Sequence, residues 1–215
     1  MDLNQQIMTQ FRVRNRGKKI LEVQPPIEIP GVRREKMGEM FAGWGFKVGA
    51  EIGTHVGIFA KRLCAANPGL KLYCIDPYIV YPEYLEFFEQ SEMDAHFEEA
   101  RERLAPYDVT FIRKTSMEAV KDFEDNSLDF VYIDGNHQLP YVISDLFHWN
   151  KKIRPGGILS GHDYGVFSDR WKKYKPNFHV IEAVDCFVHT YKINPWFLLA
   201  RGHEERFRSY LIVKR

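Results

Sequence analysis

The sequence predicts a single α/β domain: a doubly wound, mostly parallel sheet of seven strands, with helices on both faces and a C-terminal antiparallel hairpin. Three observations carry this reading. Short apolar runs alternate with segments whose apolar residues recur at helical spacing, the pattern of repeated βα units. The last two apolar runs are separated only by a short polar turn, so they pair antiparallel. Finally, 215 residues of 45% hydrophobic and 27% charged composition suffice for one full core, with no repeat or low-complexity tract to divide it.

Taken in order, residues 1–31 read as an N-terminal arm. Arg12, Arg14, Arg16, Lys18 and Lys19 place five cations within eight residues, a pattern able to touch a phosphate or nucleic acid. Only Phe11 offers an aromatic beside them, so a solvated arm is the simpler reading. Whether it caps a site, joins two subunits of a homo-oligomer or stays mobile is left open. Residues 32–44 read as a helix, and the first strand ends at Ala50-Glu51-Ile52. Val56, Phe59, Ala60, Leu63 and Cys64 mark the next helix face, stopped by Asn67-Pro68-Gly69.

Leu72-Tyr73-Cys74-Ile75 is an apolar run ending at Asp76, as in a strand buried on both faces. Met93, Phe97, Ala100 and Leu104 mark a helix with Ser91 as expected N-cap. Further strands read at 109–113, 128–133 and 157–160, with Val142, Leu146, Trp149 and Ile153 on a helix between the last two. Val180, Val184, Phe187 and Tyr191 mark a final helix. The hairpin takes 195–201 and 207–214, with its turn at 202–206.

Composition narrows the function classes. A net charge of +1 favours no polyanionic partner, which argues against nucleic acid. No apolar run approaches the ~20 residues of a membrane helix, and residues 1–10 lack the apolar stretch of a secretory signal. Three cysteines, Cys64, Cys74 and Cys186, form no even framework and fit a reducing compartment. The expectation is a cytoplasmic protein without a membrane partner.

In doubly wound sheets a ligand lies beyond the carboxyl ends of the strands, so the residues following each strand are the ones to read. After the first comes Glu51-Ile52-Gly53-Thr54-His55-Val56-Gly57. This ExGxxxG turn lacks the GxGxxG of dinucleotide loops and the GxxxxGK[ST] of P-loops. Asp76 follows the second strand, placed to accept hydrogen bonds from a ribose. Asp134, Asn136 and His137 follow one later strand, and His162 and Asp163 the next. Aromatics cluster in two flanking loops: Tyr78, Tyr81, Tyr84, Phe87 and Phe88 in one, Tyr164, Phe167, Trp171, Tyr174 and Phe178 in the other. Arg170, Lys172, Lys173 and Lys175 interleave the second. Both loops are candidate walls for a small-molecule ligand.

With VGAEIGTHVG (48–57), YCIDPY (73–78), LDFVYIDGNH (128–137), RPGGILSGHDY (154–164) and the hairpin in this order, residues 32–215 resemble the class I S-adenosylmethionine-dependent methyltransferases. The IDGNH and GHDY segments are similar to a small bacterial and phage branch near sugar and small-molecule O-methyltransferases. The resemblance implies a Rossmann-like fold with S-adenosylmethionine as cofactor. Glu51, Gly53, Thr54 and Gly57 would line its methionine part, and Asp76 would hold its ribose. Pro77 and Tyr78 would flank the adenine, Ser116 and Met117 its edge, and Asp134 would face the methyl-transfer centre. In related O-methyltransferases a divalent metal such as magnesium sits here, which assigns Asp134, His162 and Asp163 as its ligands. A histidine in that set departs from the usual acidic or amide pair and suits a softer metal or a base. His162, then His137, are the candidate bases, with Asp134 completing the catalytic set. The expected reaction is methyl transfer to an oxygen of a small molecule, a sugar among the candidates. The alternatives are a nucleic-acid methyltransferase and a non-catalytic cofactor-binding protein; a nicotinamide oxidoreductase is disfavoured by the glycine pattern.

Overall fold

The computed structural model describes residues 1–13, 25–81, 89–166, 178–201 and 207–215. Strands are β1 (Ile27–Ile29), β2 (Val48–Ile52), β3 (Lys71–Ile75), β4 (Val109–Ile112), β5 (Leu128–Ile133), β6 (Ile153–Tyr164), β7 (Phe197–Leu199) and β8 (Arg208–Val213). Helices are α1 (Leu3–Gln10), α2 (Met37–Gly43), α3 (Ile58–Ala66), α4 (Gln90–Leu104), α5 (Ser116–Ala119), α6 (Leu139–Lys152) and α7 (Val180–Thr190).

The sheet order is β1-β7-β8-β6-β5-β2-β3-β4. From β2 the chain winds outward through β3 and β4, then returns to lay β5 and β6 on the other side of β2, all parallel. The winding therefore reverses between β2 and β5, where Ile52 pairs with Ile133. That reversal opens a crevice at the carboxyl ends of these two strands. β8 runs antiparallel to both β6 and β7, which is the expected hairpin; its 202–206 turn lies outside the described residues.

Strand β5 shows why both faces are covered. Successive side chains of a strand point to opposite faces, and Phe130 and Tyr132 enter one core with Phe41 of α2 and Phe59 and Leu63 of α3. Val131 and Ile133 enter the other, with Leu146 and Trp149 of α6 and Val184 and Phe187 of α7. A strand buried on both sides reads as a continuous apolar run, as LDFVYI does.

Four details differ from the sequence expectation. The sheet has eight strands, because β1 from residues 1–31 pairs in parallel with β7 (Ile27 opposite Phe197). The same stretch supplies α1, capped by Asp2, whose carboxylate accepts from the Gln5 N–H at 2.9 Å; Ile7 and Met8 of α1 are buried. Of the five cations there, Arg14, Arg16, Lys18 and Lys19 lie outside the described residues. The 32–44 helix resolves into a 3-10 turn at Arg34–Lys36 followed by α2. Helix α4 is capped by Glu89 rather than Ser91: the Glu89 N–H donates to the Glu92 carboxylate at 2.7 Å, closing a capping box. β6 begins at Ile153, which the helical spacing assigns to the preceding helix, rather than at Gly157, with a register irregularity against β5 absorbing the extra residues.

Candidate active site

A cavity of about 700 Å3 opens at the reversal point. Its floor is the β2–α3 turn. Gly53 has φ +87°, and a Cβ there would meet the Asp134 carbonyl oxygen at 2.2 Å. Only glycine lets the two strand ends close to this distance. The ends are stitched by the Asp134 N–H donating to the Ile52 carbonyl and the Gly53 N–H donating to the Ile75 carbonyl, each at 2.8 Å. Gly57, also at positive φ, caps α3 and packs towards Leu104. It shapes the turn without lining the cavity.

Glu51 lines the floor at 2% exposure. Burial drives its pKa from 4.5 up to about 8, with the Asp134 and Asp76 charges adding and the Thr54 hydroxyl and Arg34 opposing. Its Oε2 is buried without a hydrogen-bond partner. Asp76 lines one wall, its two oxygens accepting from the backbone N–H groups of His55 and Tyr78 at 2.9 Å each. Burial pushes its carboxyl up, while these two N–H groups pull it back.

Pro77, Ser116 and Met117 line the far wall. Tyr78 does not: its ring is buried against Phe97, and its hydroxyl donates to the His55 carbonyl at 2.8 Å. Ile79 and Tyr81 present side chains to the cavity instead. Ser116 holds a wall residue that sequence reasoning missed, Asp145 of α6. The Ser116 hydroxyl donates to Asp145 and accepts from the Trp149 indole N–H at 2.8 Å. Burial pushes the Asp145 carboxyl up to about 7, against the pull of Ser116. Its position on an otherwise helical-core pattern was the available signal.

The strand ends of β5 and β6 assemble the acidic and imidazole cluster. Asp134, His162 and Asp163 each offer one ligand atom within 4.8 Å of the others. His137 Nε2 lies 2.7 Å from Asp163 Oδ2 and 3.8 Å from Asp134 Oδ1, and its ring stacks on Phe178 at 4.3 Å. Burial lowers the His137 pKa, but the two carboxylates more than offset it and hold the imidazole up at about 10. His162 Nδ1 lies 3.2 Å from Asp163 Oδ1. Neither His162 nor Asp163 lines the cavity, while Asp134 and His137 do.

One further residue enters from outside every motif. Arg34 Nη2 donates to Asp134 Oδ2 at 2.8 Å, and the guanidinium lies over the rings of Phe59 and Tyr132, 4.2 and 5.3 Å from their centroids. Of the aromatic walls, Tyr81 lines the cavity and accepts from the Asn136 amide at 3.2 Å. Tyr164 instead bonds Asp185 at 2.8 Å. Tyr84, Phe87, Phe88, Phe167, Trp171 and Tyr174, with Arg170, Lys172, Lys173 and Lys175, lie outside the described residues. The three cysteines are free, and no helix among the described residues is long and apolar enough to cross a membrane.

A family profile described as a methyltransferase domain matches residues 50–164, the span from the floor of the cavity to the end of β6. Among solved structures, the O-methyltransferase from Bacillus cereus in complex with SAH is similar at TM-score 0.59 and 16% identity, covering 98% of this chain and 88% of that one. The N-methyltransferase NodS from Bradyrhizobium japonicum WM9 is similar at TM-score 0.56 and 11% identity, covering 84% and 94%. At these identities the likeness is one of fold. The uncharacterized protein y4gI of Sinorhizobium fredii is 27% identical over 128 residues, 54% of this chain but 13% of that protein. The chain thus spans about an eighth of the length of the curated relative it matches.

Proposed function

Since the chain belongs to the methyltransferase-domain family, we propose that it moves the methyl group of S-adenosylmethionine to an oxygen of a small molecule, with a sugar among the candidates. The observation that carries this reading is the floor of the cavity, where Gly53 closes against Asp134 between the Glu51 and Asp76 carboxylates. The residues fit the cofactor. The cavity volume lies within the ~300–1,000 Å3 of small-molecule sites. Glu51 Oε2 is a buried acceptor with no protein donor, suited to an amino-acid ammonium, and Asp76 is suited to ribose hydroxyls. When bound, S-adenosylmethionine supplies a methyl group on a positively charged sulfur that leaves as a neutral thioether.

The chain's own part is to orient and deprotonate. Arg34 fixes the Asp134 carboxylate through Oδ2 and leaves Oδ1 to take the proton of an acceptor hydroxyl as its oxygen bonds the methyl carbon. His137, held charged by Asp163, lines the cavity beside Asp134 and sets a positive charge next to the acceptor. His162 braces Asp163. The donor set does not suit a hard divalent ion. Arg34 occupies Asp134 Oδ2, while His137 and His162 occupy both oxygens of Asp163, and magnesium prefers oxygen ligands alone.

The test is binding followed by turnover. S-adenosylhomocysteine at 100 times its Kd adds about 2.7 kcal/mol of stability, a midpoint rise of roughly 5–10 °C at this size; NAD gives none. Labelled S-adenosylmethionine is then offered with phenols and sugars, and label in a methyl ether is the expected product. A shift with NAD alone refutes the proposal.

A further inference from the structure

The resemblance places a divalent cation on Asp134, His162 and Asp163, and the structure places a different cation there. Arg34 reaches Asp134 from a 3-10 turn 100 residues earlier in the chain. Its position is built. The Val32 carbonyl accepts from the Ala200 N–H at 2.7 Å, which ties the segment just before the turn to the end of β7. Met37, just after the turn, is fully buried. Between them the guanidinium lies on the faces of Phe59 and Tyr132, and its side chain is 15% exposed. A planar, weakly hydrated guanidinium is suited to such a stacked, partly buried site, and it is charged at every working pH.

Resting on the methyltransferase reading, we infer that Arg34 is the resident cation of the methyl-transfer centre, a positioning residue that stands in place of a divalent metal. A metal at Asp134 must displace Nη2 from Oδ2 or share the carboxylate with a fixed positive charge. At Asp163 it must compete with two imidazoles already in contact. Removing the Arg34 charge should therefore open Asp134 Oδ2 to a metal, and a smaller cation in the same place should keep it closed.

The probe is Mn2+, which accepts both oxygen and nitrogen ligands. Its binding is followed by water-proton relaxation on chelator-treated full chain, with S-adenosylhomocysteine binding measured by calorimetry on the same samples. The wild type is expected to show no Mn2+ site and unchanged S-adenosylhomocysteine affinity with or without chelator. Arg34→Met is expected to bind Mn2+ roughly a hundredfold more tightly than the wild type, the scale on which one adjacent unit charge changes a carboxylate's proton affinity. Arg34→Lys should remain blind to Mn2+. One Mn2+ bound per wild-type chain and lost in Asp163→Asn overturns the inference. A folded Arg34→Met chain that binds S-adenosylhomocysteine but ignores Mn2+ overturns it too. If Arg34→Met does not fold, the wild-type and Arg34→Lys arms still decide. Failure of wild-type chain to bind S-adenosylhomocysteine is a separate result, which refutes the cofactor reading and is read independently of Mn2+.

Discussion

Glu51→Gln separates what the cavity floor costs the fold from what it does for a ligand. The Glu51 carboxyl is 2% exposed, and burial, ahead of the neighbouring acids, raises its pKa from 4.5 to about 8. An unfolded chain releases this proton near 4.5, whereas the folded chain keeps it until about 8. Folding therefore takes up a proton between those values. The stability of the neutral form is fully present below 4.5 and is lost as pH rises towards 8. At about 1.4 kcal/mol per pH unit, the loss reaches roughly 3 kcal/mol at pH 7 and roughly 5 at its plateau. Glutamine keeps the shape and removes the titration, so ligand-free Glu51→Gln should be the more stable protein by roughly 3 kcal/mol at pH 7, with the difference vanishing near pH 4.5. That corresponds to a melting midpoint higher by roughly 6–12 °C for a chain of this size. Urea unfolding at pH 5, 6, 7 and 8 reads the trend directly. The same variant should bind S-adenosylhomocysteine more weakly, because it no longer offers a carboxylate to the ligand's ammonium. A stability difference independent of pH, or a less stable variant at pH 7, would refute the reasoning.

Gly53→Ala forces a Cβ against the Asp134 carbonyl oxygen at positive φ. It should cost roughly 2–5 kcal/mol in chemical denaturation and, by parting the β2 and β5 ends, abolish S-adenosylhomocysteine binding in calorimetry. Asp76→Asn turns one amide N–H towards a backbone donor and removes the charge offered to a ribose; affinity should fall about ten- to a hundredfold, the worth of a hydrogen bond to a charged group. Ser116→Ala strands the Asp145 carboxyl and the Trp149 N–H. Unfolding should show a loss of roughly 1–3 kcal/mol, larger above pH 7, where the Asp145 carboxyl, with its pKa of about 7, is ionised. An equal loss at pH 5 and pH 8 would show that the Ser116 hydroxyl does not support the Asp145 charge.

The Arg34 inference and the Glu51 prediction meet at one point. Arg34 opposes the rise in the Glu51 pKa and also binds Asp134, so a single guanidinium offsets two acids on facing strand ends. Arg34→Met should therefore raise the Glu51 pKa, so that the loss of stability, which still begins near pH 4.5, runs on to a higher pH and becomes larger. Potentiometric or NMR titration of that carboxyl in the two proteins checks it.

Strands β2, β3 and β5 were legible because burial on both faces writes a continuous apolar run, and period-2 or period-3.6 burial is a local signal. The residues at their ends, Glu51, Gly53, Asp76 and Asp134, followed from the rule that ligands gather at carboxyl ends of parallel strands, and the structure gathers these four around one cavity. Segments whose order comes from distant partners were not legible. Ile27–Ile29 is a strand because β7 leaves an edge for it, and Ile153 opens β6 although its spacing continues the helical pattern of Val142, Leu146 and Trp149. Side-chain direction was equally hidden. Tyr78 and Pro77 are neighbours in sequence, yet one turns to the core and the other to the cavity. His137 rather than His162 faces the ligand space. Arg34 and Asp145 carry no motif at all; their place at the site exists only where separate elements converge. Sequence pattern determines which surfaces must be buried, because hydrophobic burial is additive and local along the chain. The pairing of charges depends on distances of a few ångströms between residues far apart in sequence, and only the packed tertiary structure sets those distances.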